Sequence, residues 1–137
     1  MEVMLQNGVI PVVNENDTVC VTELMFTDND ELSGLVAKMM EAETLIILSN
    51  IDGLYDGNPS NPESKVVRTV RASDDMSMYI QTSKSSAGRG GMQSKYHTAT
   101  LTAQTGTRVI IANGKTEHIL RNIFVCPEQT IFTEFVG

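Results

Sequence analysis

Three short runs of apolar residues, Val9–Val13, Thr44–Leu48 and Thr107–Ala112, are separated by stretches in which hydrophobic positions recur at helical spacing. Runs of this length bounded by turn residues read as buried strands. Pro11 lacks an N–H, so the first of them is expected at a sheet edge or near a strand start. Leu32, Leu35, Val36, Met39 and Met40 follow the i, i+3, i+4, i+7, i+8 pattern of one helix face, with both methionines expected in the core. Thr27 or Asp28 can cap that helix, and its opening acids, including Asp28 and Asp30, suit the positive end of its dipole. Met92, Tyr96, Ala99 and Ala103 make a second such face, and Ile119, Leu120 and Ile123 a third, on a short helix over Glu117–Ile123.

Weaker signals fill the rest. Val66–Val70 and Thr130–Val136 read as strands, residues 18–26 as a β-rich excursion, and Ser73–Gln81 as a short helix with Met76 and Ile80 inward. Residues 58–64 and the Ser/Gly-rich 82–91 read as loops. Met1–Gln6 resembles the last turn of a helix stopped by Asn7-Gly8, which suggests a chain that is the later part of something longer. Strands alternating with helices indicate an α/β domain: an αβα sandwich around a mostly parallel sheet. In such sheets ligands gather at the C-terminal ends of strands, where Asn14–Asp17 and Ser49-Asn50 fall.

The 137 residues suffice for one domain or part of a larger one, and 41% hydrophobic content supports a packed core. A net charge of −7 argues against nucleic acid or a membrane surface as partner, because both ask for a basic face. No run approaches the ~18 apolar residues of a membrane span, and no signal peptide is evident. Cys20 and Cys126 read as buried free thiols of a cytoplasmic protein. His97 and His118 lack companion ligands and read as structural or surface residues, so no metal site is expected from them. Lys84 and Lys115 read as surface lysines.

The strongest chemical signal is Gly88-Arg89-Gly90-Gly91-Met92-Gln93-Ser94-Lys95, which leads into the second helix. Helix-opening N–H groups have no internal partner, glycines let an anion approach them, and Lys95 adds a full charge about one turn in. The stretch suits phosphate. It is not a Walker-type loop, which needs Gly-Lys as a dipeptide followed by Ser or Thr.

Four stretches together carry a resemblance to the amino acid kinase family: Pro11–Asp17, Phe26–Ser33, Leu48–Tyr55 and Gly88–Lys95. The Asn14-Glu15-Asn16-Asp17 and Asp28-Asn29-Asp30 pair resembles the branch that phosphorylates the side-chain carboxylate of L-glutamate, in the first step of proline biosynthesis. The resemblance implies the carbamate kinase-like fold, ATP as donor, Mg²⁺ carried on its phosphates, and homo-oligomeric assembly. It implies that Asn16 binds the acceptor, that Asp17 organises the catalytic lysines, and that Ser49 and Asn50 lie near the nucleotide. Residues Arg89, Gly90, Gly91, Met92, Gln93, Ser94 and Lys95 would form the nucleotide loop, with Lys95 stabilising the transferring phosphoryl group. Tyr55 would pack or line the nucleotide pocket.

Three departures bear on these implications. Asn50 replaces a common Asp, Thr27 a common Gly, and Arg89 a common Thr. The family's first strand and its early glycine-rich lysine loop have no match, so residues 1–137 correspond to the C-terminal, nucleotide-binding portion of a kinase domain, expected to be inactive in isolation. Another acceptor within the family, such as acetylglutamate or a uridylate, remains open, as does a non-catalytic nucleotide-binding module.

Overall fold

The run that reads as the third strand is the centre of the molecule. The computed structural model describes residues 2–13, 29–57, 61–71 and 92–137. Chain order is α1 (Glu2–Gln6), α2 (Asn29–Met39), β1 (Thr44–Ser49), β2 (Thr69–Arg71), α3 (Met92–Gln104), β3 (Arg108–Asn113), α4 (Ile119–Val125), a 3-10 turn (Pro127–Gln129) and β4 (Thr133–Val136). The strands lie in the order β1-β3-β4-β2. β1 runs parallel to β3 and β2 parallel to β4, whereas β3 and β4 are antiparallel. The expected parallel character therefore holds for two of the three pairings.

Alternation along β3 divides its side chains between two cores. Val109 and Ile111 face one side, where they meet Ile47, Leu54, Val70, Ala99, Ala103 and Phe135. Ile110 and Ala112 face the other, against Ile119, Ile123 and Phe132. α3 covers the first face with the predicted Met92, Tyr96, Ala99 and Ala103, and Tyr96 meets Phe135 edge-on at 6.0 Å between ring centroids. α4 covers the second. β3 is buried on both faces and so reads as a continuous apolar run. Each fully buried large side chain here, Ile110, Ile111 or Phe135, contributes about 1.5–3 kcal/mol of transfer free energy. The layers are those of an αβα sandwich.

Several expectations need correcting. Val9–Val13 forms no strand: Ile10 is 84% and Val12 93% exposed, and none of the five pairs in the sheet. Apolar content gives a strand only where a ladder partner is present, and this segment has none among the described residues. Met39 is 67% exposed, because the stripe turns off the core at the last turn of α2. Leu120 is exposed on α4, and Cys126 is a free thiol only half-buried. The strands expected at 66–70 and 130–136 are shorter, at 69–71 and 133–136, with Val66 bridging Tyr55 instead. Asn7 and Gly8 do end α1: their N–H groups donate to carbonyls of Val3, Met4 and Leu5. The segments 14–28, the 58–60 part of the loop and 72–91, with Cys20 and Lys84, lie outside the described residues.

Candidate active site

Short connections fix which edge of the sheet carries the chemistry. α3 leads through residues 105–107 into β3, and α2 through 40–43 into β1, so each helix runs against its strand. Both helix N-termini therefore lie at the edge where β1 and β3 end. Lys95, in the first turn of α3, and Asp30, in the first turn of α2, meet there: Lys95 Nζ donates to Asp30 Oδ2 at 2.9 Å, each side chain 15% exposed. Both helix N-termini present a positive dipole end on the same side, which favours an anion between or above them. Asp30 partly offsets that potential and holds the lysine in one place.

Ser49 and Asn50 occupy the end of β1, next to Asn113 at the end of β3, which is Ser49's partner in register. Ser49 Oγ donates to Asn50 Oδ1 at 3.5 Å and accepts from the Ile51 N–H at 3.4 Å. Asn50 is exposed. Beyond them Asp52 accepts from Asn113 Nδ2 at 3.2 Å and from the Tyr55 hydroxyl at 3.3 Å. Burial, with Asp52 as neighbour and hydrogen-bond acceptor, raises the Tyr55 pKa above the ordinary tyrosine range. Gly53 is required by close approach: a Cβ there would stand 2.4 Å from Thr133 Oγ1, the atom that accepts from the Leu54 N–H.

Of the residues expected to act, Ser49, Asn50, Met92, Gln93, Ser94 and Lys95 are brought to this one edge. Met92 packs on the core as well, and Gln93 is exposed. Asn16, Asp17, Arg89, Gly90 and Gly91 lie outside the described residues. Three further residues join the site. Asp30 reads in the sequence as a helix-opening acid, Asp52 as a turn residue and Asn113 as a strand stop; each gains its partner from an element about 60 residues away. Only the shared position of Ser49-Asn50 and Asn113-Gly114 after apolar runs hinted at the last. His97 and His118 are both exposed. Among the described residues no three His, Cys, Asp or Glu side chains cluster as metal ligands, and no helix is long and apolar enough to cross a membrane.

A family model described as the amino acid kinase family matches residues 1–113. Glutamate 5-kinase of Bacteroides thetaiotaomicron is 59% identical over 136 residues, 99% of this chain and 38% of its own length. Glutamate 5-kinase of Chlorobaculum tepidum is 48% identical over 127 residues, 89% of this chain and 34% of its own length. The chain thus spans little more than a third of the curated relatives it matches. Among solved structures, an isopentenyl phosphate kinase substrate complex superposes with a TM-score of 0.69 at 16% identity, over 98% of this chain and half of that one. Carbamate kinase from Giardia lamblia bound to AMP-PNP gives 0.56 at 20% identity, over 95% of this chain and 42% of that one. These structures agree in fold.

Proposed function

The chain belongs to the amino acid kinase family, and from that premise we propose that it is the nucleotide-binding portion of a glutamate 5-kinase. The reaction is transfer of the ATP γ-phosphoryl group to the side-chain carboxylate of L-glutamate. A carboxylate oxygen forms a bond to the γ-phosphorus, the bond from that phosphorus to the β,γ-bridging oxygen breaks, and ADP leaves with the electron pair. The names of the two relatives above support the acceptor. One observation carries the chemistry: a largely buried Lys95, in the first turn of α3, fixed by Asp30 at the C-terminal edge of β1 and β3.

Phosphoryl transfer asks the protein for position and countercharge more than for covalent work. Lys95 supplies charge where it develops on the transferring group. Asp30 orients Lys95, a role that the sequence resemblance assigns to Asp17. Asp17 and Asn16 remain in this reading as the groups that order the lysines and hold the acceptor. Ser49 and Asn50, with Arg89, Gly90, Gly91, Met92, Gln93 and Ser94, line the nucleotide. Mg²⁺ comes with ATP through its phosphates, as is usual for this ion. The same reading makes the complete protein a cytoplasmic homo-oligomer.

The test is ADP formation that depends on glutamate, with the full-length gene product. Lys95→Ala should lower kcat by about 10²–10³-fold, roughly 2.7–4 kcal/mol, while ATP affinity changes little. Asp30→Asn should lower kcat by less, because Lys95 keeps its charge and loses its orientation. Near-normal turnover of Lys95→Ala removes the lysine from the chemistry. A full-length protein without glutamate-dependent turnover, but with intact ATP binding, would instead be a non-catalytic nucleotide module.

A further inference from the structure

Residues 50–53 cross the edge of the sheet between Ser49 and Leu54, and their fixed points belong to other elements. The Gly114 N–H donates to the Ser49 carbonyl at 2.8 Å. At the far end the Leu54 N–H donates to Thr133 Oγ1 at 2.9 Å, Thr133 Oγ1 donates to the Val67 carbonyl at 2.7 Å, and the Val67 N–H donates to the Leu54 carbonyl at 2.7 Å. Leu54 and Thr133 in that second group are buried and anchor the fold. Asp52 stands in the middle, half-buried at the rim of the site, and holds Asn113 on one oxygen and Tyr55 on the other. The Asn113 amide has a defined orientation, because its Oδ1 accepts from the Lys115 N–H at 2.9 Å and leaves Nδ2 for Asp52.

We propose that Asp52 is a positioning residue for nucleotide binding: by tying the end of β3 through Asn113 to Tyr55, it holds the turn that carries Ser49 and Asn50 in the shape the nucleotide meets. The proposal rests on the placement of the nucleotide at Ser49 and Asn50 argued above. Three facts separate this role from plain support of the fold. The buried Gly53–Leu54–Thr133 contact keeps the chain path without Asp52. Among the described residues, the hydrogen bonds of Asp52 run to Asn113 and Tyr55 at the rim of the site. Asn50, two residues before it in the chain, is exposed and depends on the turn for its place.

The role also separates position from charge. Asn at 52 can accept from Asn113 through its oxygen and donate to the Tyr55 hydroxyl through its nitrogen, so both contacts survive without the negative charge. Alanine keeps neither. In the full-length protein, Asp52→Ala should raise the KM for ATP about tenfold, with kcat and the KM for glutamate within about threefold of wild type. Asp52→Asn should stay near wild type in all three. Asn113→Ala should reproduce the Asp52→Ala increase, and the double variant should be no worse than either single one, because the two act as a unit. Equilibrium titration of ATP should show the same ordering of affinities, and this readout stands even if glutamate is not the acceptor. Unchanged ATP affinity in Asp52→Ala overturns the proposal. So does additivity in the double variant, or an Asp52→Asn as weak as the alanine, which would assign the effect to charge.

Discussion

Lys95 stands where a helix least welcomes a cation. The first turn of α3 carries the positive end of its dipole, and a charge there costs about 0.3–1 kcal/mol. Asp30, in the equally positive first turn of α2, is favoured by its own helix and meets the lysine at 2.9 Å. Removing either one leaves the other largely buried without this partner, so a stability loss should accompany any catalytic loss at this pair. The lysine was legible in the sequence, because a glycine stretch before a helical stripe needs no distant information. Its carboxylate was not: Asp30 is 65 positions away, and its local signal is that of a helix-opening acid. Tyr55 gives a test by pH. Its hydroxyl, partly desolvated and donating to Asp52, has a pKa raised above the ordinary tyrosine range. Well below pH 10 the group is neutral in both folded and unfolded chains and contributes no slope. Above it the unfolded chain loses the proton first, the folded chain binds more protons, and stability falls with rising pH. Alkaline denaturation followed by circular dichroism should therefore be shallower above pH 10 for Tyr55→Phe than for wild type. Parallel curves would show that the folded and unfolded hydroxyls titrate alike.

Helices α2 and α3 run side by side in the same direction, and their spacing is set by one missing side chain. A Cβ on Gly34 would lie 2.9 Å from both Thr102 Oγ1 and Thr98 Cγ2. Both threonines are buried and β-branched, so their χ1 rotamers have little freedom to yield. Gly34→Ala gains up to about 1 kcal/mol of helix propensity but must push the helices apart at a packed contact, typically costing 1–3 kcal/mol. The expected net result is destabilisation, measured by urea denaturation, with Lys95 and Asp30 displaced and kcat lowered. A more stable variant would mean that the helices separate freely. At this scale the sequence was informative where one element carries its own pattern. β1, β3 and α3 follow from their apolar runs and stripe. Orientation does not: nothing in Thr133–Val136 says that β4 runs against β3, since alternation serves either direction. The apolar run at 9–13 shows the converse, a strand-like composition without a strand neighbour.

At the scale of the whole molecule, charge and apolar surface oppose each other. Seventeen acids against ten bases give a net charge of −7, which disperses copies of the chain. Against this, Val3, Met4, Leu5, Val9, Ile10, Val12 and Val13 are all exposed within one short stretch. Among the described residues β3 is also the one strand paired with β1, which leaves the other edge of β1 a template for further pairing. Clustered apolar surface of this kind marks an interface. The residues matched here are 38% and 34% of the length of two relatives, so in a full-length protein other segments can occupy this face. For a polypeptide of these 137 residues alone, another copy is the available cover. Light scattering should then give a mass above that of the 15.0 kDa monomer, rising with concentration. Ile10→Asp with Val12→Asp should lower it, because two charges enter the exposed run without touching either core. Added salt should raise it, because screening removes the repulsion and leaves the hydrophobic attraction. A monomer at all concentrations would mean that repulsion prevails, and association unaffected by the two aspartates would place the contact elsewhere, the exposed Leu120 and Phe124 face of α4 being the alternative to examine.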